Sequence, residues 1–324
     1  MYTKLGQEKL KTGETMEVGV ILAPDPEYGE RIQLFLHHKG PEWERHIEGA
    51  AKGEINDLET RFYIGHLDGE AVVNIMTVEY GPTGILGHVF TRPDHRRKGA
   101  CSRLMAYQMD DFRRREGGLL LLGTGFDSPA YWIYHSYGFR SMYQGSGFMR
   151  YASDEAFEDA YFAPAPVKTI DVAWRDWPRI SALTSREEAG MLKSIAFELF
   201  GAANFEHGFL RLKRELERGR RIAKLLESER GAIVGCATIG PHDLWPGEVH
   251  VLDLFVHPNF WDDARTLLDA LDLPSGKVQC YVDTASDEKI SLLESRGFEQ
   301  EALLKRQLRW QSAELDVAVY AKQV

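Results

Sequence analysis

The sequence predicts a mixed α/β fold (α+β in its sheet arrangement) built twice, as two tandem domains with helices packed on mixed sheets. Three observations lead there. The chain has 324 residues, about twice the modal domain of roughly 150. One order of elements (strand, two helices, hairpin, strand, helix, strand, helix, closing strands) is readable in both halves. Two segments also align between the halves: HVFTRPDH (88–95) with DLFVHPNF (253–260), and AYWIYHSYGF (130–139) with KISLLESRGF (289–298). Such self-similarity is the mark of a duplication at domain scale. The sharpest compositional break is SDEAFEDAYFAPAPVKTI (153–170), where an acidic run meets Ala-Pro-Ala-Pro. Its prolines lack amide donors and favour extended backbone. The expected domains are therefore 1–160 and 166–324.

In the first half, MEVGVIL (16–22) reads as a strand, and 28–40 and 41–53 as two short helices, the second opened by Pro41,. Residues 59–80 form a hairpin about the Asp68-Gly69 turn, and TGILGHVFT (83–91) is the next strand,. Apolar residues at 101, 104, 105 and 108 share one face of a helix over 99–118 that ends at a glycine pair,. LLLLGT (119–124) suits a buried strand, 128–139 a helix ended by Gly138, and 140–151 the closing strands. In the second half the expectations are a strand at DVAWRD (171–176), helices at 176–184 and 186–218, and a hairpin at 221–241. A strand at 248–258, a helix at 262–271, a strand at 277–284, a helix at 287–298 and two final strands complete it.

Composition excludes several classes. The 44% hydrophobic and 27% charged fractions are those of a globular protein, not a disordered one,. No run approaches about 18 apolar residues, and the N-terminus has no apolar core like that of a secretory signal, so no membrane association is expected. The three cysteines are widely spaced, which suits a reducing cytoplasm and argues against a thiolate metal site,. With 39 basic against 49 acidic residues the formal charge is −10, so a nucleic-acid partner is not expected. No metal is expected either: adjacent His37 and His38 do not share a helix face.

The chemistry concentrates at VFTRPDHRRKGACSRLM (89–105), where a strand enters a basic, glycine-containing turn and a helix follows at once. Such a turn aims several unpaired amides at one point beside the positive end of the helix dipole. Gly99 permits close backbone approach, and Arg96, Arg97 and Lys98 add charge. The result is a cradle for a pyrophosphate.

The run Arg96-Arg97-Lys98-Gly99-Ala100-Cys101, after Thr91-Arg92-Pro93, resembles the R/Q-x-x-G-x-G/A acetyl-CoA loop of the GNAT (general N-acetyltransferase) superfamily. A second hallmark, a helix ending in Y-x-x-x-G-F, is matched by Tyr134 to Phe139. The resemblance covers about 16–151 and, in decayed form, 168–322. It implies two tandem acyl-CoA N-acyltransferase (GNAT-like) domains and acetyl-CoA as acyl donor. It further implies that the amides from Arg97 through Ala100 and Cys101 to Ser102 hold the pyrophosphate. Val89, Phe90 and Thr91 would pair with pantetheine like an added strand, and Tyr134 would protonate the leaving thiolate. The sequence departs from the pattern at Cys101, where Gly or Ala is usual, and at Asp127, where many members carry an Asn that contacts pantetheine.

The general base stays open between His88, on the strand before the loop but of unusual parity, and Glu79 on the neighbouring strand. For the acceptor, the first two helices offer Glu42, Trp43 and His46, a carboxylate–aromatic set that suits a small-molecule or peptide amine. In the second copy, Trp261 stands opposite Arg96, Asp262 and Asp263 opposite Arg97 and Lys98, Ala264 opposite Gly99, and Leu293 opposite Tyr134. Two carboxylates repel a pyrophosphate and leucine donates no proton. The second domain therefore reads as a degenerate copy that packs on the first, shapes its cleft or builds a homodimer. The expected activity is acetyl-CoA-dependent N-acetyl transfer to an amine. The alternative is a non-catalytic acyl-CoA-binding sensor or interaction protein.

Overall fold

Asp68 and Gly69 both take positive φ, 50° and 82°, the geometry of a two-residue hairpin turn whose twist matches its strands. They join β3 (Glu59–Leu67) to β4 (Glu70–Tyr80) at the centre of the first sheet. The computed structural model describes residues 1–245 and 247–324, and the chain divides into two units, Met1–Phe157 and Glu158–Val324.

In the first unit β1 (Tyr2–Lys9) and β2 (Thr15–Leu22) precede α1 (Pro26–Leu36), a 3-10 turn (His37–Lys39) and α2 (Pro41–Lys52). After the hairpin come β5 (Thr83–Thr91), α3 (Ala100–Arg114), β6 (Leu119–Gly123), α4 (Pro129–Ser136), β7 (Arg140–Ser141) and β8 (Phe148–Ala152). The sheet order is β1-β2-β3-β4-β5-β6-β8-β7. Only β5 and β6 run parallel, because α3 carries the chain back across one face between them. That helix buries Leu104, Met105, Met109 and Phe112 against β4, β5 and their neighbours. Burying each such side chain contributes roughly 1.5–3 kcal/mol.

The second unit follows the short helix α5 (Phe157–Tyr161) with β9 (Val167–Asp171), α6 (Asp176–Thr184), β10 (Leu192–Ser194), β11 (Leu199–Phe200) and α7 (Glu206–Glu217). Next come β12 (Ile222–Ser228), β13 (Ile233–Pro241), β14 (Val249–Val256), α8 (Ala264–Asp269), β15 (Lys277–Asp283), α9 (Asp287–Ser295), β16 (Glu299–Trp310) and β17 (Ala313–Gln323). Its sheet order is β16-β17-β15-β14-β13-β12-β9, again with one parallel pair, β14 and β15. Among the described residues no helix is long and apolar enough to cross a membrane.

Two expectations need correction, and one strand carried no sequence signal. The N-terminal segment forms β1, an edge strand whose polar, partly exposed residues show no alternation. DVAWRD is a strand only at Asp171; β9 begins earlier, at Val167, and Asp176 already opens α6. The helix expected over 186–218 is confined to α7; before it lie a 3-10 turn (Glu187–Ala189), β10 and β11. Gly190 and Gly201, at φ 107° and 53°, interrupt any helix there.

Candidate functional site

A bulge in β5 organises the site. Met76 pairs with Gly87 and Asn74 with Phe90, so His88 and Val89 together oppose Ile75. His88 takes φ 48°, and Asn74 Nδ2 donates to its carbonyl at 3.0 Å. The extra residue turns His88 and Phe90 toward α2 and α1, while Val89 packs on the α3 side. On its other edge β5 pairs with β6 only from Thr83 to Ile85. From Gly87 to Thr91 that edge has no strand partner among the described residues, so the sheet splays into a wedge. Unpaired N–H and C=O groups inside a sheet are a template for a further extended chain.

The wedge ends at the loop before α3. Arg97 has φ 63° and Gly99 φ 89°, and no side chain caps the helix. The amides of Arg97 to Ser102 have no backbone acceptor among the described residues, as expected of a helix N-terminus. Lys11 N donates to Lys98 O at 3.0 Å, tying the loop to the turn after β1. The three cations differ in use. Lys98 Nζ pairs with Glu14 at 2.8 Å, which with Thr12 holds the Glu14 carboxyl down at about 2. Arg96 Nε donates to Thr91 O at 3.1 Å. Arg97 is exposed and has no ion-pair partner among the described residues. Ala100 and Cys101 pack into or against the core; burial pushes the Cys101 thiol up to about 11, so it stays protonated.

Beyond the wedge α4 is set by Pro129 at its start and by Ser128, whose hydroxyl accepts from Tyr131 N at 3.2 Å. Tyr134 is buried in the cluster that holds Leu104, Met105 and Phe139. Tyr137 donates from its hydroxyl to Ser102 O at 2.6 Å and so couples α4 to the first turn of α3. Nothing in its spacing signalled that bond. Asp127, at φ 58°, is exposed and accepts from Trp132 Nε1 at 2.8 Å.

The two candidate bases fare differently. Glu79 stands at the hairpin end of β4, opposite Gly84, about 16 Å along the strand from Asn74 at ordinary strand rise. Its carboxylate is clamped by Arg115 (2.5 and 3.1 Å) and by Thr77 Oγ1 (2.6 Å). That is a structural ion pair, and Glu79 leaves the set of bases. His88 lies on the bulge with its ring 4.6 Å from Trp43, edge to face, and its buried Nε2 has no hydrogen-bond partner among the described residues. His46 is fully buried beneath α2, and Glu42 sits in that helix's first turn, where a carboxylate favours the dipole.

Burial pushes His46 down to about 3; burial first, then His46, Lys39 and His38, together bring His88 down to about 3. Unfolded histidine titrates near 6.5. Below that pH the unfolded chain binds protons that the folded one refuses, so stability falls as pH drops through the window from about 6.5 to 3. The loss reaches about 1.4 kcal/mol per pH unit for each histidine. Denaturant unfolding should therefore show a shallower acid loss for a His46→Gln, His88→Gln double variant than for the native sequence. An identical pH slope would show that these rings do not stay neutral in the folded state.

The second unit differs at each corresponding point. The 3-10 turn after the strand spans only Pro93–His95 in the first unit but runs from Pro258 to Asp263 in the second, and Ala264 is right-handed (φ −60°) where Gly99 is left-handed. Leu293 is wholly buried. Asp253, aligned with His88, accepts from Ser194 Oγ at 2.6 Å and from Ile195 N at 3.0 Å. Asp283, at the end of β15, accepts from Leu192 N at 3.1 Å, and Lys289 Nζ donates to Leu192 O at 3.3 Å. β10 thus bridges β14 and β15 beyond Leu252 and Cys280, the last residues those strands pair. Among the described residues no cluster of three or more His, Cys, Asp or Glu could hold a metal.

Residues 70–142 match the family described as an acetyltransferase (GNAT) domain. No curated protein matches the sequence. Among solved structures, the chain is similar to a ribosomal-protein-alanine N-acetyltransferase from Brucella melitensis, at 20% identity over 48% of this chain and 99% of that one, TM-score 0.40. A phosphinothricin acetyltransferase from Sinorhizobium meliloti, solved with acetyl-CoA, matches at 19% identity over 49% and 88%, TM-score 0.40. A spermidine N-acetyltransferase from Vibrio cholerae, solved with CoA and spermine, matches at 13% over 48% and 95%, TM-score 0.35.

Proposed function

We propose that the chain, whose residues 70–142 match the acetyltransferase (GNAT) domain family, is an acetyl-CoA-dependent N-acetyltransferase whose first unit performs the transfer and whose second unit is a degenerate copy. The observation that carries this is the wedge between β5 and β6 opening onto the unpaired amides of Arg97 to Ser102. An extended pantetheine arm would pair with the free edge of β5, and the amides with Arg97 would take the pyrophosphate. The thioester would then lie by the bulge.

In this reading His88 Nε2 accepts a hydrogen bond from the attacking amine. Its basicity, pushed far below that of an amine, lets it orient the amine while the proton passes to water. A new C–N bond forms, the C–S bond breaks, and the Tyr134 hydroxyl protonates the departing thiolate. The pH profile of turnover should accordingly follow the acceptor amine, with no break from His88 between about pH 5 and 8. Three unpaired cysteines support work in a reducing cytoplasm,.

The test is calorimetric titration of acetyl-CoA into the full chain, followed by thiol release with a panel of amines. One site per chain is expected, and Asp262→Ala with Asp263→Ala should leave that affinity unchanged. Two sites would overturn the degenerate assignment of the second unit. Acetyl-CoA binding with no thiol release from any amine would favour a sensor over an enzyme.

A further inference from the structure

We propose that the acceptor is an amine that also carries a carboxylate, an amino acid or the end of a short peptide with an apolar side chain, held by Arg31 and Arg92. This rests on the acetyltransferase reading of the same site. A cavity of about 440 Å³ opens between α1, the His37–Lys39 turn and the adjoining ends of β4 and β5, lined by Arg31, Phe35, His38, Glu70, Phe90 and Arg92. It adjoins the bulge: Phe90 is two residues beyond His88 on the same face of β5, about 6.6 Å along the strand.

The floor is aromatic. Phe35 meets the Phe90 ring edge-on at 5.2 Å, and the His38 ring lies 4.2 Å from it. Two guanidiniums stand at the wall. Arg31 lies 4.8 Å over the Tyr28 ring and donates to Gly69 O at 3.2 Å, yet pairs with no carboxylate among the described residues. Arg92 has only a long contact to Asp94, 3.7 Å, with its side chain 43% exposed. Against them the cavity holds one carboxylate, Glu70, which pairs with neither. In a chain of net charge −10, a cavity with two guanidiniums against one carboxylate is a local reversal of sign. Reversed charge within low-dielectric walls concentrates the opposite ion, and the guanidinium fork matches carboxylate geometry bidentately. The carboxylate–aromatic set of Glu42, Trp43 and His46 suits a small-molecule or peptide amine; the two guanidiniums add a carboxylate to that acceptor.

The probes are phenylalanine, phenethylamine (no carboxylate), 3-phenylpropionate (no amine) and spermidine, used on the full chain. Phenylalanine should be acetylated with kcat/KM at least tenfold above phenethylamine or spermidine, and 3-phenylpropionate should compete with it. Arg31→Gln with Arg92→Gln should raise KM for phenylalanine at least tenfold while the acetyl-CoA Kd stays the same. Equal or better turnover of phenethylamine or spermidine overturns the proposal, as does an unchanged KM in the double variant. Direct calorimetry of 3-phenylpropionate separates the two readings. Binding lost in the double variant, without turnover of any amine, would uphold the carboxylate site and sink the acetyltransferase. Turnover restricted to amines lacking a carboxylate would do the reverse.

Discussion

Gly99→Val should weaken acetyl-CoA binding at least 100-fold while the fold persists. Gly99 sits at φ 89° as the residue before α3. That left-handed geometry costs an L-residue roughly 1–2 kcal/mol and a β-branched one more. There is room for the side chain, since a Cβ there would meet only Lys11 methylenes at 3.6–3.8 Å. The strain therefore falls on the backbone, whose rotation would swing the neighbouring amides away from their common focus. Each charge-assisted bond to a phosphate is worth about 1.5–3 kcal/mol, so misaiming two of them removes roughly 3–6 kcal/mol, more than 100-fold in affinity. Gly99→Asn separates causes, because asparagine tolerates left-handed φ. It should keep a measurable part of the affinity if conformation dominates, and lose as much as valine if bulk beside the phosphate dominates. Calorimetry on both variants decides. A Kd within threefold of the native value for valine would remove the loop from the binding site.

The loop and the hairpin were legible because both are local. Asp68-Gly69 and Gly99 announce positive φ by residue type, and α3 announces its buried face by spacing. The bulge was not legible. It exists because β4 and β5 pair out of register by one residue around Ile75, a property of two segments together. That shift also accounts for the parity of His88, which is out of step only if β5 is taken as a uniform strand. Glu79 looked like a free carboxylate because Arg115, its partner, lies 36 residues away in sequence. The segment from Gly190 to Gly201 hides its strands from sequence for the same reason: the Leu192 and Ile195 amides donate to Asp283 and Asp253, on strands far along the chain.

The aligned pair His88 and Asp253 sits in contrasting surroundings. In the first unit the residue on the bulge keeps an unpartnered nitrogen facing α2. In the second, the aligned carboxylate is wholly buried, with its pKa raised by that burial, and it is saturated by Ser194 and Ile195. A buried polar group without a partner costs about 1–3 kcal/mol. His88 carries that cost and Asp253 does not.

Tyr134→Phe should lower kcat by about 10²- to 10⁴-fold with acetyl-CoA affinity near native, the range a positioned general acid supplies. The substitution keeps the ring in its cluster with Phe139 and the α3 side chains and deletes only the hydroxyl, so stability should shift by no more than about 1.5 kcal/mol. A purely structural tyrosine would also slow the enzyme if its loss moved α4. Tyr137, bonded to Ser102 O, gives that comparison: Tyr137→Phe releases the coupling between α4 and α3 and should act on acetyl-CoA affinity more than on kcat. The leaving group supplies the second control. With an acyl donor whose leaving group is a stronger acid than a thiol, departure needs no proton, and the Tyr134→Phe defect should shrink toward the native rate. An equal defect with both donors would mean that the hydroxyl positions rather than protonates. An unchanged kcat with acetyl-CoA would remove Tyr134 from the chemistry altogether.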